Sequence, residues 1–234
     1  MLIVLKNFVG SIPVLGPALR KGYAFFVGRP SVFFKRSDQY WEDRYRSGGN
    51  SGSGSYGRLA EFKAQFLNEF VRKKEIGSIV EFGCGDGAQL CLADYPNYVG
   101  FDVAMTSIDM CREKFSNNSN YEFYLVGTDQ YKNFQPVDLA LSLDVIYHLI
   151  EDDIFDAYMR KLFASARRYV VIYAYDFERT YASRHELGRK FTLWIERNAP
   201  DWLLIQKVPN PYPYDHTDPN NTSQSDFFVY APKT

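Results

Sequence analysis

The sequence predicts an α/β protein: a doubly wound, mostly parallel seven-stranded sheet with an antiparallel last strand, preceded by an N-terminal helical extension. Three observations carry this expectation. From about residue 59 onward, short apolar runs rich in β-branched residues alternate with stretches of helical period. One run, Ser78–Glu81, leads into the turn GCGDG at 83–87, the layout of a strand bending sharply to admit a nucleotide. The last two runs have no helix between them, so the final strand must return antiparallel.

The first thirty residues, MLIVLKNFVGSIPVLGPALRKGYAFFVGRP, look at first like a membrane or secretory segment. Their longest uncharged run, Asn7–Leu19, falls short of the roughly 20 residues a bilayer span needs, and it contains Gly10, Pro13, Gly16 and Pro17. With no basic leader and no small-residue cleavage site, neither a signal peptide nor a spanning helix is expected. What remains is an apolar arm. It packs on the body or on a partner subunit of a homodimer, or residues 1–30 lie on a membrane surface with Lys6, Arg20 and Lys21 at the headgroups. Residues 47–57, SGGNSGSGSYG, read as a flexible linker or as a lid over a bound cofactor.

Leu59, Phe62, Phe66, Leu67, Phe70 and Val71 recur at helical spacing, giving an amphipathic helix to about Lys74. After the glycine turn the chain is expected to be helical from Ala88. Strands follow at Tyr98–Phe101 and Glu122–Val126, with a helix from about Thr106 to Phe115 between them. Val137–Leu143 is a continuous apolar run, as for a strand buried on both faces. The next helix carries Ile154, Phe155, Tyr158, Met159, Leu162 and Phe163 on one side. Tyr169–Ala174 is a fifth strand, and a helix is expected through Leu187, Phe191, Trp194 and Ile195. Trp202–Val208 and Asp226–Tyr230 close the sheet. No internal repeat is present.

Charge is nearly balanced, 27 basic against 28 acidic residues, so the basic excess of a nucleic-acid binder is absent and such a partner is disfavoured. Aromatics at 17% suggest a pocket or contact surface lined with rings as well as core. Cys84, Cys91 and Cys111 form no CxxC and have no histidine at ligand spacing, so they read as reduced, cytoplasmic thiols without a disulfide framework or zinc site. The N-x-S/T sites at Asn117, Asn220 and Asn221 would matter only in an exported chain.

The glycine turn carries the functional argument. A dinucleotide site prefers G-x-G-x-x-G, so that the backbone can approach a pyrophosphate. Here Gly83, Gly85 and Gly87 are spaced G-x-G-x-G, with Glu81 just before them and Asp86 among them. Two carboxylates repel a pyrophosphate but suit a cation. A nucleoside with positive groups in place of phosphates is S-adenosylmethionine, which bears a sulfonium and an α-ammonium. Asp102, ending the second strand, can take both ribose hydroxyls, and Asp129, past the third, can accept from the adenine amino group.

EFGCGDG, followed by GFDVA and then SLDVIYHL, resembles the class I S-adenosylmethionine-dependent methyltransferase family over roughly Ile76–Lys233. The resemblance implies the Rossmann-like methyltransferase fold, with residues 55–234 as the cofactor domain and 1–54 as the arm and lid loop. It implies Glu81, Gly83, Gly85, Asp102 and Asp129 as cofactor contacts. Cys84, Val103, Asp144 and Tyr56 are placed with them, Asp144 at the methionine end.

Because the donor is already activated, the protein must mainly position the acceptor and manage its proton. Of His148, His185 and His216, the first follows the fourth strand directly, where similar methyltransferases face the methyl group, and it is the candidate base. Tyr147, Tyr175 and Asp176 are further pocket candidates. NPYPY from Asn210 imitates the N-P-P-Y motif of amino-directed nucleic-acid methyltransferases, but it follows strand six rather than strand four. Its loop, with Tyr214 and His216, is expected to overhang the pocket and to suit a polar acceptor such as a sugar. The expected activity is O-methylation of a polar small molecule or saccharide, a cell-surface glycan or its precursor among them. The alternatives are N-methylation of a small amine, or a non-catalytic interaction module. No metal is expected, since no paired acids stand with an adjacent Asn or His.

Overall fold

The computed structural model describes residues 36–177, the backbone of 181–183, and residues 185–233. The expectations for the N-terminal arm therefore fall outside the described residues. Strands β1 (Ile79–Phe82), β2 (Tyr98–Asp102), β3 (Tyr121–Leu125), β4 (Val137–Leu143), β5 (Ala166–Ala174), β8 (Trp202–Val208) and β9 (Asp226–Pro232) form one seven-stranded sheet; β6 (Tyr181–Ser183) and β7 (Glu186–Leu187) form a separate hairpin. The sheet order is β3-β2-β1-β4-β5-β9-β8. Pairings among β1 to β5 are parallel, and β9 runs antiparallel to both β5 and β8. Strand order reverses between β1 and β4, which places the ligand crevice at their carboxyl ends.

Helices cover both faces. On one, α2 (Gly57–Lys73) and α3 (Met105–Lys114) bury Leu67, Phe70, Ile108 and Cys111 against Ile79, Leu139 and Val171. On the other, α5 (Asp152–Ala164) and α6 (Phe191–Asn198) bury Met159, Leu162, Phe191 and Ile195 against Val80, Ala140 and Ile172. The continuous apolar run of β4 follows from this double cover. A one-turn helix, α4 (Asp129–Lys132), follows β3.

Two expected helices differ. After the glycine turn only a short 3-10 turn forms, at Leu90–Leu92, because Tyr95-Pro96 stops the segment before a helix can pay for its nucleation. Leu187 belongs to β7 rather than to a helix, and α6 begins only at Phe191. Asp176 sets that start: its carboxylate accepts from the Thr192 amide at 3.2 Å and pairs with Lys190 at 2.8 Å.

Helix α1 (Ser37–Arg46) lies across the crevice. At its start the amide of Ser37 donates to Glu151 at 3.0 Å. Further along, Glu42 accepts from the amide and hydroxyl of Thr106 at 3.1 and 2.7 Å. The bar is thus tied to the segment after β4 and to the start of α3. Among the described residues no helix is long and apolar enough to cross a membrane.

Candidate active site

The glycine turn, the ends of β2 and β4, and α1 enclose a cavity of about 320 Å³, within the range of small-molecule sites. Gly83 and Gly85 take φ of +89° and +57°, a region that disfavours side chains. A Cβ on Gly83 would stand 2.5 Å from Val145, and one on Gly85 2.3 Å from the Ser51 hydroxyl. The bare backbone therefore shapes the floor of the cavity.

Two buried acids face it. Asp102 accepts from the amides of Gly85 and Ala104, each at 2.9 Å on a different oxygen. Burial raises its carboxyl above the usual value, and those amides oppose the rise. Glu81 accepts from the Tyr98 hydroxyl at 2.7 Å; burial pushes it up to about 7, against the pull of Tyr98 and Lys63.

Lys63 sits on the buried face of α2, only 1% exposed, and pairs with Asp144 at 2.7 Å. Asp144 also accepts from Tyr147 at 3.0 Å and Ser225 at 3.1 Å, and its backbone takes φ +59°. A non-glycine residue in that conformation persists where several partners fix it, as these three do.

The glycine/serine segment is a strap rather than a loose linker. Asp86 accepts from the Ser51 amide at 3.0 Å and the Tyr56 hydroxyl at 2.9 Å, and the Asp86 amide donates to the Ser51 hydroxyl at 3.0 Å. Tyr45 on α1 closes the arrangement with a 3.0 Å bond to Ser51. Burial alone would raise the Asp86 carboxyl, but the amides of Ala88 and Ser51 hold it below its usual range. The charge of Asp86 thus fastens the strap.

At the far end His148 lines the cavity. Its Nδ1 meets the His185 carbonyl at 3.0 Å, which makes Nδ1 the protonated nitrogen and leaves the lone pair on Nε2. Burial lowers its pKa to about 4. Trp41 packs edge-on against His148 at 4.9 Å, Tyr40 stacks on His185 at 4.6 Å, and the two imidazoles lie nearly parallel, 5.6 Å apart. Glu186 stands beside them, 3.7 Å from His185 Nε2.

A methyltransferase domain profile matches residues 80–171. No curated protein matches the sequence. The N-methyltransferase NodS of Bradyrhizobium japonicum, in complex with S-adenosylhomocysteine, shares the fold at a TM-score of 0.60 and 16% identity, covering 86% of this chain and all of its own. Magnesium protoporphyrin IX methyltransferase ChlM of Synechocystis, with bound S-adenosylhomocysteine, aligns at a TM-score of 0.59 and 12% identity over 84% of this chain and 98% of its own. The methyltransferase domain of a bacterial Hen1 protein aligns at 0.57 and 17% identity over 74% and 97%.

Residues 80–171 carry a methyltransferase domain, and the fold is that of class I S-adenosylmethionine-dependent methyltransferases.

The residues lining the cavity fit S-adenosylmethionine, the donor that methyltransferases of this fold use. Each oxygen of Asp102 accepts one amide and retains capacity for a ribose hydroxyl. Gln89 lines the same cavity; its amide nitrogen donates to the Ala60 carbonyl at 3.1 Å, while its buried Oε1 has no protein partner. Such an acceptor, in a cavity that Glu81 also lines, suits an ammonium group. Val103, Val126, Tyr131 and Val145 supply an apolar slot past Asp102 for a flat ring.

Of the residues expected from the sequence, Glu81, Gly83, Cys84, Gly85, Asp102, Val103, Asp144 and His148 all line the cavity. Others lie elsewhere. The Asp129 side chain is 87% exposed and faces Lys132 across 3.9 Å, and Tyr56 acts through Asp86. Tyr147 and Tyr175 stack on each other at 4.5 Å behind Asp144, and Asp176 is engaged with α6. Tyr214 is half exposed and His216 more so. The loop before β9 instead reaches the crevice through Ser225, and it is held by Arg58, which bonds the Asn221 carbonyl and stacks on Tyr212.

Sequence reading missed Lys63, Trp41, Ser51 and Gln89. Lys63 had a visible signal: it falls four residues after Leu59 and four before Leu67, on the apolar stripe of α2.

Proposed function

We propose that this methyltransferase moves the methyl group from S-adenosylmethionine to an oxygen of a polar small molecule or saccharide, with His148 receiving the acceptor's proton. The observation that carries this reading is the bond from His148 Nδ1 to the His185 carbonyl, which fixes a neutral ring on the cavity wall with its lone pair on Nε2. A weakly basic imidazole is sufficient for an alcohol. As the oxygen begins to bond the methyl carbon its proton becomes strongly acidic, so it transfers during the displacement rather than before.

The chain's own residues divide the remaining work. Bound donor would supply an activated methyl group. Asp102 holds the ribose, and Glu81 and Gln89 hold the amino-acid end. Lys63 keeps Asp144 in place, and the strap with α1 excludes water from the glycine turn. Trp41, packed against His148, presents flat apolar surface on which the face of a sugar ring can rest.

The test is a screen of hydroxylated acceptors, saccharides among them, with methyl-labelled donor, identifying the labelled product by mass spectrometry and the methylated atom by NMR. His148→Ala should lower turnover by about a hundredfold, the usual scale of general-base catalysis, with S-adenosylhomocysteine affinity unchanged. A loss of only a few-fold, or a methyl found on nitrogen, refutes the assignment.

A further inference from the structure

We infer that His148, His185 and Glu186 form a site for a divalent transition-metal ion of the zinc or cobalt kind at the acceptor end of the cavity. A ring nitrogen from each histidine and a carboxylate oxygen of Glu186 all lie within 4.8 Å of one another. With ligand bonds near 2.1 Å, donor atoms around such an ion stand roughly 3–3.5 Å apart. Small rotations of three side chains therefore complete the set.

The donor chemistry selects the ion. Two imidazoles and one carboxylate suit borderline ions, whereas magnesium and calcium prefer oxygen alone. Three protein ligands leave coordination positions open, as catalytic sites do and structural sites do not. The tautomer is also prepared: with Nδ1 of His148 donating to the His185 carbonyl at 3.0 Å, the other nitrogen is left to ligate, the common way in which a ligating imidazole is oriented. The rings of Trp41 and Tyr40 shield the two histidines, which strengthens charge interactions there. Asp144 contributes negative charge near His148 and Arg44 opposes it. His148 follows β4 and His185 precedes β7, so only the fold brings them together.

This inference rests on the proposed acceptor end; with the ion bound, His148 Nε2 is a ligand and no longer takes the acceptor's proton, its role in the metal-free chain. A hydroxyl bound to the ion becomes acidic enough to release its proton to water or buffer. The resulting metal-held oxygen attacks the methyl carbon; the oxygen–carbon bond forms as the carbon–sulfur bond breaks, and that bond's electron pair stays on sulfur. The favoured acceptors are those with a second oxygen able to chelate, such as a vicinal diol.

The experiment uses the full-length, tag-free chain, stripped with a chelator and then titrated with Co²⁺ and Zn²⁺. Bound metal is counted by elemental analysis, and S-adenosylhomocysteine binding is measured on the same preparations. The expected result is one ion per chain and a visible Co²⁺ absorption band. Affinity should fall at least about tenfold in His185→Ala and in Glu186→Gln and stay unchanged in His216→Ala, with S-adenosylhomocysteine bound normally by all. Equal metal binding by His185→Ala and Glu186→Gln overturns the inference, as does a wild-type chain that binds S-adenosylhomocysteine and no metal. The methylation screen reads the acceptor assignment separately, so that reading can fail while the metal count still stands.

Discussion

Replacing Glu81 by glutamine should stabilise the ligand-free protein while weakening its hold on the methyl donor. Below pH 4.5 the Glu81 carboxyl carries its proton in both the folded and the unfolded chain and contributes nothing. Between 4.5 and about 7 the folded chain retains a proton that the unfolded chain has lost, so stability falls as pH rises. Above about 7 the full cost of a buried carboxylate is present. At about 1.4 kcal/mol per pH unit, the interval from 4.5 to about 7 corresponds to on the order of 3 kcal/mol. Glutamine has no charge to bury and keeps an oxygen for the Tyr98 hydroxyl. For a chain of 234 residues, the gain should raise the melting temperature at about pH 8 by roughly 6–12 °C, with the two proteins converging near pH 4.5. Calorimetric melts across this range read the effect. Titration with S-adenosylhomocysteine should show weaker binding by the variant, and wild-type affinity that declines as pH falls through 7. A ligand-free Glu81→Gln protein that melts at or below wild type at about pH 8 would refute the reasoning.

Other perturbations probe the remaining walls. Lys63→Met leaves Asp144 without its 2.7 Å partner and should cost about 3–5 kcal/mol in urea unfolding, most of it recovered by adding Asp144→Asn. Gly85→Ala forces a side chain into φ +57° and against Ser51; about 1–3 kcal/mol of stability and at least tenfold in S-adenosylhomocysteine affinity should be lost together. Tyr56→Phe removes one bond to the Asp86 carboxylate. At roughly 1.5 kcal/mol for a charge-assisted bond, it should speed S-adenosylhomocysteine dissociation about tenfold in stopped flow while leaving turnover chemistry intact.

The parts of the fold legible in the sequence were those dictated by burial. β4 is sandwiched between two helical layers and reads as one apolar run, and β9 is read from the lack of a helix after β8. The glycine-turn end of the cavity was legible for a related reason. A backbone at positive φ with no room for a side chain needs glycine, and an acid ending a strand beside such a turn stands at the crevice, so Gly83, Gly85 and Asp102 mark themselves as cavity walls. Asp86 was visible as a charge but not as a fastener, because its partners Ser51 and Tyr56 come from a segment whose composition signals only flexibility. The short segment after Gly87 was misread as helical since Leu90 and Leu92 carry no period long enough to distinguish a single turn from a helix. His185 and Glu186 sit far along the chain from His148, and no local spacing reveals side chains that meet only through tertiary packing.

The strap has a kinetic consequence. One carboxylate, Asp86, secures both the bend after β1 and the segment that closes over it, so a spent donor cannot leave by that side until Ser51 and Tyr56 let go. Opening of the strap should then be a step of the cycle separate from bond making. Solvent viscosity should slow steady-state turnover yet leave a single-turnover burst untouched.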